Sequence, residues 1–585
     1  MDGTIDGLQP GGHPIGHPWL RAYPAGIDWN IALPPEETLV SVFDGAAGRF
    51  AARPAMDFLG RRWTYAALAD AVARAAEGLR RLGVGPGTRV GLCLPNCPWH
   101  VIAYYAVLKA GGIVVNVSPL YVEEELATLA RDSGAEVMVT LDLDPILPRV
   151  LHLLGAPGVA VRRVVVARFA EALPFPKSML FRLFKRRSLA PVPAGDDRVV
   201  PFAALLDAPP IAAPPAVAHD AVAVLQYTGG TTGVPKGVML THANLTANLR
   251  QMHAWFTTCR HGEERMLAVI PFFHVFAMTV AMNSAIAMGA EIVMLPRFEW
   301  PMLKATLKRT RPTVFPGVPT LFKACLDNGA TRDDLASVKA CISGGAPLPL
   351  AVKQDFEALS GSTVVEGYGL TEASPVCFCN PFEGENRAGT IGLPLPGIVA
   401  EIRDLADPAR ALPPGGRGEL CLKGPNVMAG YWNRPAETTE VLGPDGFLRT
   451  GDVGIMDADG YVTLVDRIKD LILVSGFNVY PRVVEEALYR HPGVAAATVV
   501  AMPDPYRGEA PAAFVQAKPG ATLTPEGLRA FLQDKLNPVE MPRLIEVRAS
   551  LPRTPVGKLS KKELKDEMRQ RSAAATPRHP PEGRP

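Results

Sequence analysis

The chain has 585 residues, 48% of them hydrophobic, with a mean hydropathy of +0.11, which is ample for several large buried cores. Sixty Lys and Arg stand against 58 Asp and Glu, a formal charge of +2, so no overall field draws the molecule to nucleic acid and such a role is disfavoured. Eight scattered cysteines without paired CxxC units argue against zinc and fit a reducing cytoplasm.

The N-terminus, MDGTIDGLQPGGHPIGHPW, has neither the basic nor the apolar region of a secretory signal. Residues 1–35 read as an arm, with His13 and His17 in a disordered lead-in rather than a metal site. From Thr64 onward an Ala/Leu/Arg-rich pattern predicts a helix over 65–82, followed by a strand at 90–94, an apolar helix at 101–110 and a strand at 113–117. The segment 175–188, FPKSMLFRLFKRRS, interleaves Leu180, Phe181, Leu183 and Phe184 with Lys177, Arg182, Lys185, Arg186 and Arg187. Two readings stay open for it: an interfacial amphipathic helix, making peripheral contact with the inner face of a membrane, or a solvated loop helix. The Pro-rich stretch 191–215 reads as a long surface connection.

The stretch 227–242, YTGGTTGVPKGVMLTH, gathers Gly229, Gly230, Gly233, Thr228, Thr231, Thr232 and Lys236. Such a loop can wrap a polyphosphate, because glycines let backbone N–H groups converge, hydroxyls add donors and a lysine supplies the countercharge. It is not the familiar Gly-Lys-Ser/Thr loop: Val234 and Pro235 separate Gly233 from Lys236, and Val238 to Leu240 predict a strand, not a helix, on leaving it. Residues 266–290 carry no Asp, Glu, Lys or Arg and are long enough to span a bilayer. Pro271, His274, Asn283 and Ser284 interrupt the run, which predicts instead a buried strand ending at Pro271 and a core helix over 275–288 stopped by Gly289.

Helix and strand patterns keep alternating through 340–365, which implies α/β layers, and beyond Gly397 the pattern turns strand-rich. The tail predicts strands at 471–474, 495–502 and 512–517 and helices at 481–489 and 525–536, the latter capped by Thr524. A last helix is expected from Ser560, with Glu563 completing a capping box. The domain map is therefore a large domain at 36–467, a small α+β domain at 468–571 and a disordered tail at 572–585. The fold class is multidomain, α/β with α+β, comprising layered α/β subdomains, a β-rich subdomain and a small mobile C-terminal domain.

Several further clusters echo the nucleotide theme: Ser343-Gly344-Gly345-Ala346-Pro347, Glu366-Gly367-Tyr368-Gly369-Leu370-Thr371-Glu372, Thr450-Gly451-Asp452, Asp466-Arg467-Ile468-Lys469-Asp470, and Arg553-Thr554-Pro555-Val556-Gly557-Lys558. Tyr368 offers a flat face for adenine, with Gly344, Gly345 and Ala346 letting backbone approach the base edge. Asp452 supplies acceptors for a ribose diol and Arg467 a donor for ribose or phosphate. Glu372 is a hard oxygen ligand suited to Mg²⁺ held mainly by phosphate, and Lys558, on a Gly-containing loop, can point a charge at an α-phosphate.

In this order these motifs resemble the adenylate-forming superfamily of acyl-CoA synthetases, luciferases and peptide-synthetase adenylation domains, from about Trp19 to Met568. The branch of bacterial long-chain fatty-acid CoA ligases is the most similar, on WLRAYPAGIDW near the start, AGGIVVNVSPLY at 110–121 and the run 447–481. The resemblance implies activation of a medium- or long-chain fatty acid by ATP to an acyl-AMP, then transfer to coenzyme A. It adds Thr228 beside Glu372 at the Mg²⁺ and makes Lys558 with these two the catalytic set. It places Glu366, Gly367, Gly369 and Thr371 at the nucleotide, and Phe273, His274 and Met278 at the acyl chain. It makes Lys469 a hinge for rotation of the C-terminal domain and sets Gly476 beside a coenzyme A tunnel. Met278 stands where certain long-chain enzymes carry a gating tryptophan, Val483 replaces a common glutamate, and Val539-Glu540 a frequent Tyr-Lys pair. A ligase for an aryl or short-chain acid, an acyl-AMP ligase serving a carrier protein, and a membrane fatty-acid transport protein using 266–290 are the alternatives; a homodimer is left open.

Overall fold

Strands that are apolar along their whole length must be covered on both faces, and helices alternating with them supply the cover. The computed structural model describes residues 17–228, 235–475, 477–553 and 559–575. They divide into two compact units. The first takes the described residues up to Ala400 with Leu422–Leu448 and Ala458–Tyr461; the second takes Glu401–Cys421, Arg449–Asp457 and the described residues from Val462.

The first unit holds two large sheets. One runs, edge to edge, Gly430–Tyr431, Lys236–Thr241, Val222–Thr228, Ile113–Asn116, Arg89–Cys93, Val137–Leu141, Arg163–Ala167 and Val199–Pro201. It is parallel from Val222–Thr228 to Val199–Pro201 and antiparallel at the other end. The second runs Leu393–Pro394, Val376–Cys379, Thr363–Gly369, Ala340–Ser343, Val314–Gly317, Arg265–Ala268, Glu291–Met294, Pro54–Phe58 and Arg61–Thr64, with a parallel centre and antiparallel ends. Val137–Leu141 is buried at every position, as a strand covered on both faces must be.

The expected helix at 65–82 is Tyr65–Arg81, started by Thr64, whose hydroxyl accepts the Ala67 N–H. The apolar helix begins earlier than expected, at Pro98, and runs to Lys109, buried on all sides from Pro98 to Leu108, which is why its sequence shows no polar stripe. The charge-free run 266–290 is spent inside: strand Arg265–Ala268, then helix from about Val275 to Met288 with a π-helical segment Ala277–Asn283, stopped by Gly289 at φ 69°. No helix among the described residues is long and apolar enough to cross a membrane.

Two expectations need correction. The stretch 191–215 is more than a surface connection, because Val199–Pro201 adds an edge strand and Phe202–Leu206 packs against Tyr65–Arg81. Gly78 permits that approach: a Cβ there would lie 2.6 Å from the Leu205 Cα. His17 is likewise no part of a disordered lead-in. It stacks on Trp19 at 4.8 Å, and Trp19, Leu20 and Trp29 are buried. His13 lies outside the described residues.

The second unit contains the larger part of a four-stranded sheet, Val399–Arg403, Arg417–Lys423, Leu448–Met456 and Val462–Arg467, together with a five-stranded sheet. In the latter, Phe477–Val479, Ile472–Val474, Gly508–Ala517 and Val494–Asp504 pair in that order, and Leu544–Arg548, absent from the sequence expectations, lies parallel to Gly508–Ala517. Helix Pro481–Tyr489 falls where expected. The next, Pro525–Leu532, is capped by Thr524 but stops short of 536, the chain continuing as a turn over 533–535. Ser560 and Glu563 pair side chain to side chain, and helix Lys562–Ala575 extends past 572. The mixed α/β fold with a small α+β C-terminal domain is the class the sequence led us to expect.

Candidate active site

The expected strand, loop and strand around the glycine-rich segment are present: Val222–Thr228 enters, Lys236–Thr241 leaves antiparallel to it, and Thr228 is paired opposite Lys236. Gly229, Gly230, Thr231, Thr232 and Gly233 lie outside the described residues. The chain then enters helix His242–Trp255 through a capping box of Thr241 and Asn244.

Residues missed by sequence reasoning complete this corner, chief among them Tyr431 and Asp132. Gly430–Tyr431 adds a short strand to Lys236–Thr241, with Tyr431 opposite Val238. The Tyr431 hydroxyl donates to Glu372 Oε1 at 2.8 Å, and Lys236 Nζ lies 5.0 Å from the centre of its ring. Burial, then the charge of Glu372, raises the Tyr431 phenol well above its ordinary value, so it stays a donor. The Met428 N–H holds the Glu372 carbonyl at 2.8 Å. Asp132 anchors the outside of the corner, accepting from the Tyr227 hydroxyl at 2.7 Å and pairing with Arg434 at 3.2 Å. Only the Gly-Tyr-Trp run at 430–432 could have flagged Tyr431.

Glu372 Oε2 makes no hydrogen bond or ion pair with a described residue, and no cluster of three or more His, Cys, Asp or Glu able to hold a metal occurs among them. One hard carboxylate beside the Tyr431 hydroxyl fits Mg²⁺ carried in on phosphate oxygens and does not fit a dedicated protein cage. Thr228 and Glu372 would be its protein contacts.

The remaining nucleotide candidates of the first unit sit at the carboxyl ends of neighbouring parallel strands, where open α/β sheets take ligands. Ala340–Ser343 and Thr363–Gly369 pair so that Ser343 lies opposite Glu366; Gly344, Gly345 and Ala346 follow the first, and Glu366, Gly367, Tyr368 and Gly369 close the second. Thr371 opens the short helical turn Thr371–Ala373 that carries Glu372. Gly369 has no alternative: a Cβ would lie 1.9 Å from the Pro375 carbonyl oxygen. Ser343, the first residue of the nucleotide cluster 343–347, is buried and leaves its hydroxyl without a partner among the described residues, a donor beside the candidate base edge.

The candidate acyl residues are tied to the phosphate-loop strand by two buried amides that the sequence reading also missed. Gln226 Nε2 donates to the Phe273 carbonyl at 2.8 Å. Asn116 Nδ2 donates to Gln226 Oε1 at 2.9 Å and to Met278 Sδ at 3.1 Å. Met278 is fully buried at the start of the π-helical segment, with its N–H on the His274 carbonyl at 3.0 Å, and the His274 Nδ1 accepts the Phe276 N–H at 3.3 Å. Thr279 donates to the Ser374 carbonyl at 2.9 Å, joining this helix to the loop after Glu372.

In the second unit, Asp452 and Arg467 face each other across antiparallel strands, with Arg467 Nε 3.1 Å from Asp452 Oδ1. Lys469 lies in the turn Ile468–Asp470, its ammonium held below the ordinary lysine value by burial and then by Arg467. Lys565, a further residue the sequence did not suggest, donates to the Lys469 carbonyl at 3.3 Å and to Asp470 at 2.6 Å. Val483 and Val539 pack on the core of this unit, and Glu540 accepts the Asn537 N–H at 3.1 Å. Gly476 and Lys558 lie outside the described residues.

Comparison with known proteins fits this arrangement. The chain matches the AMP-binding enzyme family over residues 43–432 and the AMP-binding enzyme C-terminal domain over 483–558. It is 41% identical over 559 residues to a long-chain-fatty-acid–CoA ligase of Bacillus subtilis (strain 168), covering 94% of this chain and 98% of that protein. A feruloyl-CoA synthase of Amycolatopsis sp is 35% identical over 508 residues, 86% of this chain and 94% of that one. Among solved structures, ATP-bound MatB from Rhodopseudomonas palustris superposes with a TM-score of 0.79 at 27% identity, covering 90% of this chain and 98% of its own. A benzoate CoA ligase from Burkholderia xenovorans LB400 gives 0.75 at 26%, covering 90% and 100%. The chain belongs to the AMP-binding, adenylate-forming enzymes.

Proposed function

We propose that the protein is an acid–thiol ligase that activates a medium- or long-chain fatty acid with ATP and transfers the acyl group to coenzyme A, releasing pyrophosphate and AMP. The observation that carries this reading is the link between the two candidate sites: Gln226, two residues before Thr228, is hydrogen-bonded to the backbone of the apolar segment at Phe273. A carboxylate whose chain lies along that segment would have its head group beside the phosphate loop.

A carboxylate is a poor acyl donor because its oxygen is a poor leaving group. Attack of that oxygen on the α-phosphorus of ATP expels pyrophosphate and gives an acyl-AMP; the thiol of coenzyme A then attacks the acyl carbon, AMP leaves, and the thiol proton passes to solvent. The protein's contribution is positioning and charge neutralisation. Thr228 to Gly233 and Lys236 would hold the β- and γ-phosphates, Tyr368 and Gly344 to Ala346 the base, Asp452 and Arg467 the ribose, and Lys558 the α-phosphate. Mg²⁺, held by Glu372 and Thr228, would neutralise phosphate charge. Tyr431 would fix the direction of the Glu372 carboxylate. Lys469 would serve as the hinge between the two half-reactions and Gly476 would border the pantetheine path. The reading takes the enzyme to be cytoplasmic.

The feruloyl-CoA synthase and benzoate ligase relatives favour an aryl acid as the second reading. Pyrophosphate release across fatty and aromatic acids, with and without coenzyme A, separates the two and also reports whether coenzyme A is the acceptor. Absence of acid-dependent exchange of labelled pyrophosphate into ATP for every acid would refute both.

A further inference from the structure

Helix Lys177–Phe184 has its amphipathic pattern turned outward. None of its residues is buried. At about 100° per residue, Met179, Leu180, Leu183 and Phe184 share one face, and their exposures of 55, 41, 67 and 74% set that face toward solvent. Phe175, just before the helix, is 81% exposed. The attachment is made from outside that face: the Phe181 ring is 4.9 Å from Phe169, and Lys177, at the border beside Phe184, donates from Nζ to the Leu59 carbonyl at 2.9 Å. A hollow of about 470 Å³ lined by Trp99, Leu173 and Met179 lies under part of the helix, so the helix is held along an edge and its apolar face is not drawn into the core.

The flanks are cationic. Lys177, Arg182, Lys185, Arg186 and Arg187 border the apolar face, and no acidic residue occurs in 175–188. Arg182 pairs with Glu171 at 3.6 Å, whereas Lys185, Arg186 and Arg187 make no ion pair with a described residue. Clustered exposed phenyl and aliphatic groups followed by three cations that have no ion-pair partner among the described residues match the boundary of an anionic bilayer, where acyl chains meet phosphate head groups. From this charge complementarity we infer that 175–188 is a docking surface for an anionic lipid bilayer, with Phe175, Leu183 and Phe184 entering the acyl boundary and Lys185, Arg186 and Arg187 on the lipid phosphates. The inference is independent of the reaction proposed above.

The test is flotation of the full chain with phosphatidylcholine vesicles, with and without phosphatidylglycerol. Wild type should float with the anionic vesicles and be released at about 0.5 M salt, where the Debye length falls to a few ångströms. The double variant L183E/F184E and the triple variant K185E/R186E/R187E should each lose at least about tenfold in lipid affinity, as exposed sites bordering an interface should, while keeping the wild-type thermal transition. Phe184→Trp keeps the surface apolar and should add tryptophan fluorescence that brominated lipid quenches. Flotation of the variants equal to wild type, binding to neutral vesicles as strong as to anionic ones, or no added quenching in Phe184→Trp would each overturn the proposal. So would a wild-type dimer that L183E/F184E converts to monomer without lipid, or binding of wild type only to an acidic protein and never to vesicles, since the face would then be a protein interface.

Discussion

Replacing Tyr431 by Phe isolates one hydroxyl. The Tyr431 hydroxyl to Glu372 bond is 2.8 Å long and its acceptor is a carboxylate oxygen, and bonds to charged groups of this kind are worth about 1.5–3 kcal/mol. The ring stays, so Lys236 keeps its place over an aromatic face and the short strand keeps its pairing. What is lost is the donor that fixes the Glu372 carboxylate, leaving Oε1 without one among the described residues. If that carboxylate must be aimed at Mg²⁺ for the phosphate transfer, the loss appears in the transition state, and about 1.5–3 kcal/mol corresponds to roughly 10- to 150-fold in kcat/KM for ATP. Pyrophosphate exchange measured across a Mg²⁺ titration checks this. The variant should fall by that range and need a higher Mg²⁺ concentration for half-maximal rate, and chelation should abolish exchange in both proteins. Thermal unfolding should shift by only a few degrees, because about 1.5–3 kcal/mol is small against the unfolding entropy of a chain this long. Wild-type rate with an unshifted Mg²⁺ midpoint would refute the role given to Tyr431.

Three further outcomes are expected. Lys558→Ala should cripple acyl-AMP formation, by at least about a hundredfold if the lysine stabilises charge at the α-phosphate, yet spare thioester formation from supplied acyl-AMP; equal loss in both half-reactions would remove Lys558 from the first step. Burial lowers the imidazoles of His100 and His242 to about 4, and both are essentially inaccessible to solvent. Because the folded state resists a proton that the unfolded chain accepts near 6.5, stability should be fully present above about pH 6.5 and fall progressively toward pH 4, by on the order of 3 kcal/mol per histidine; urea midpoints that stay flat across that window would contradict it. Gly369→Ala should destabilise by about 3 kcal/mol or more, as overpacking against fixed backbone does, read as a lower urea midpoint; an unchanged midpoint would show that the Pro375 carbonyl can move.

Short-range chemistry accounts for the features that could be read from the residues in order. Thr64, Thr241 and Thr524 begin helices because their hydroxyls cap the next turn, Gly289 ends one because it accepts positive φ, and alternation around Val222 to Gln226 makes a strand whatever lies beyond it. The glycine, threonine and lysine composition of 228–236 carried its chemistry in the same local way. Tertiary structure alone decided which distant side chains meet. Tyr431 reaches Glu372 across 59 positions, and Asn116 reaches Met278 across 162, because strand order in two sheets brings them together, and neither periodicity nor composition encodes that order. The exposed apolar face of Lys177–Phe184 is the converse case: its pattern was legible as amphipathic, but which side faces the protein depends on Phe169 and Leu59, and a helical pattern cannot say on which of its faces the partner lies.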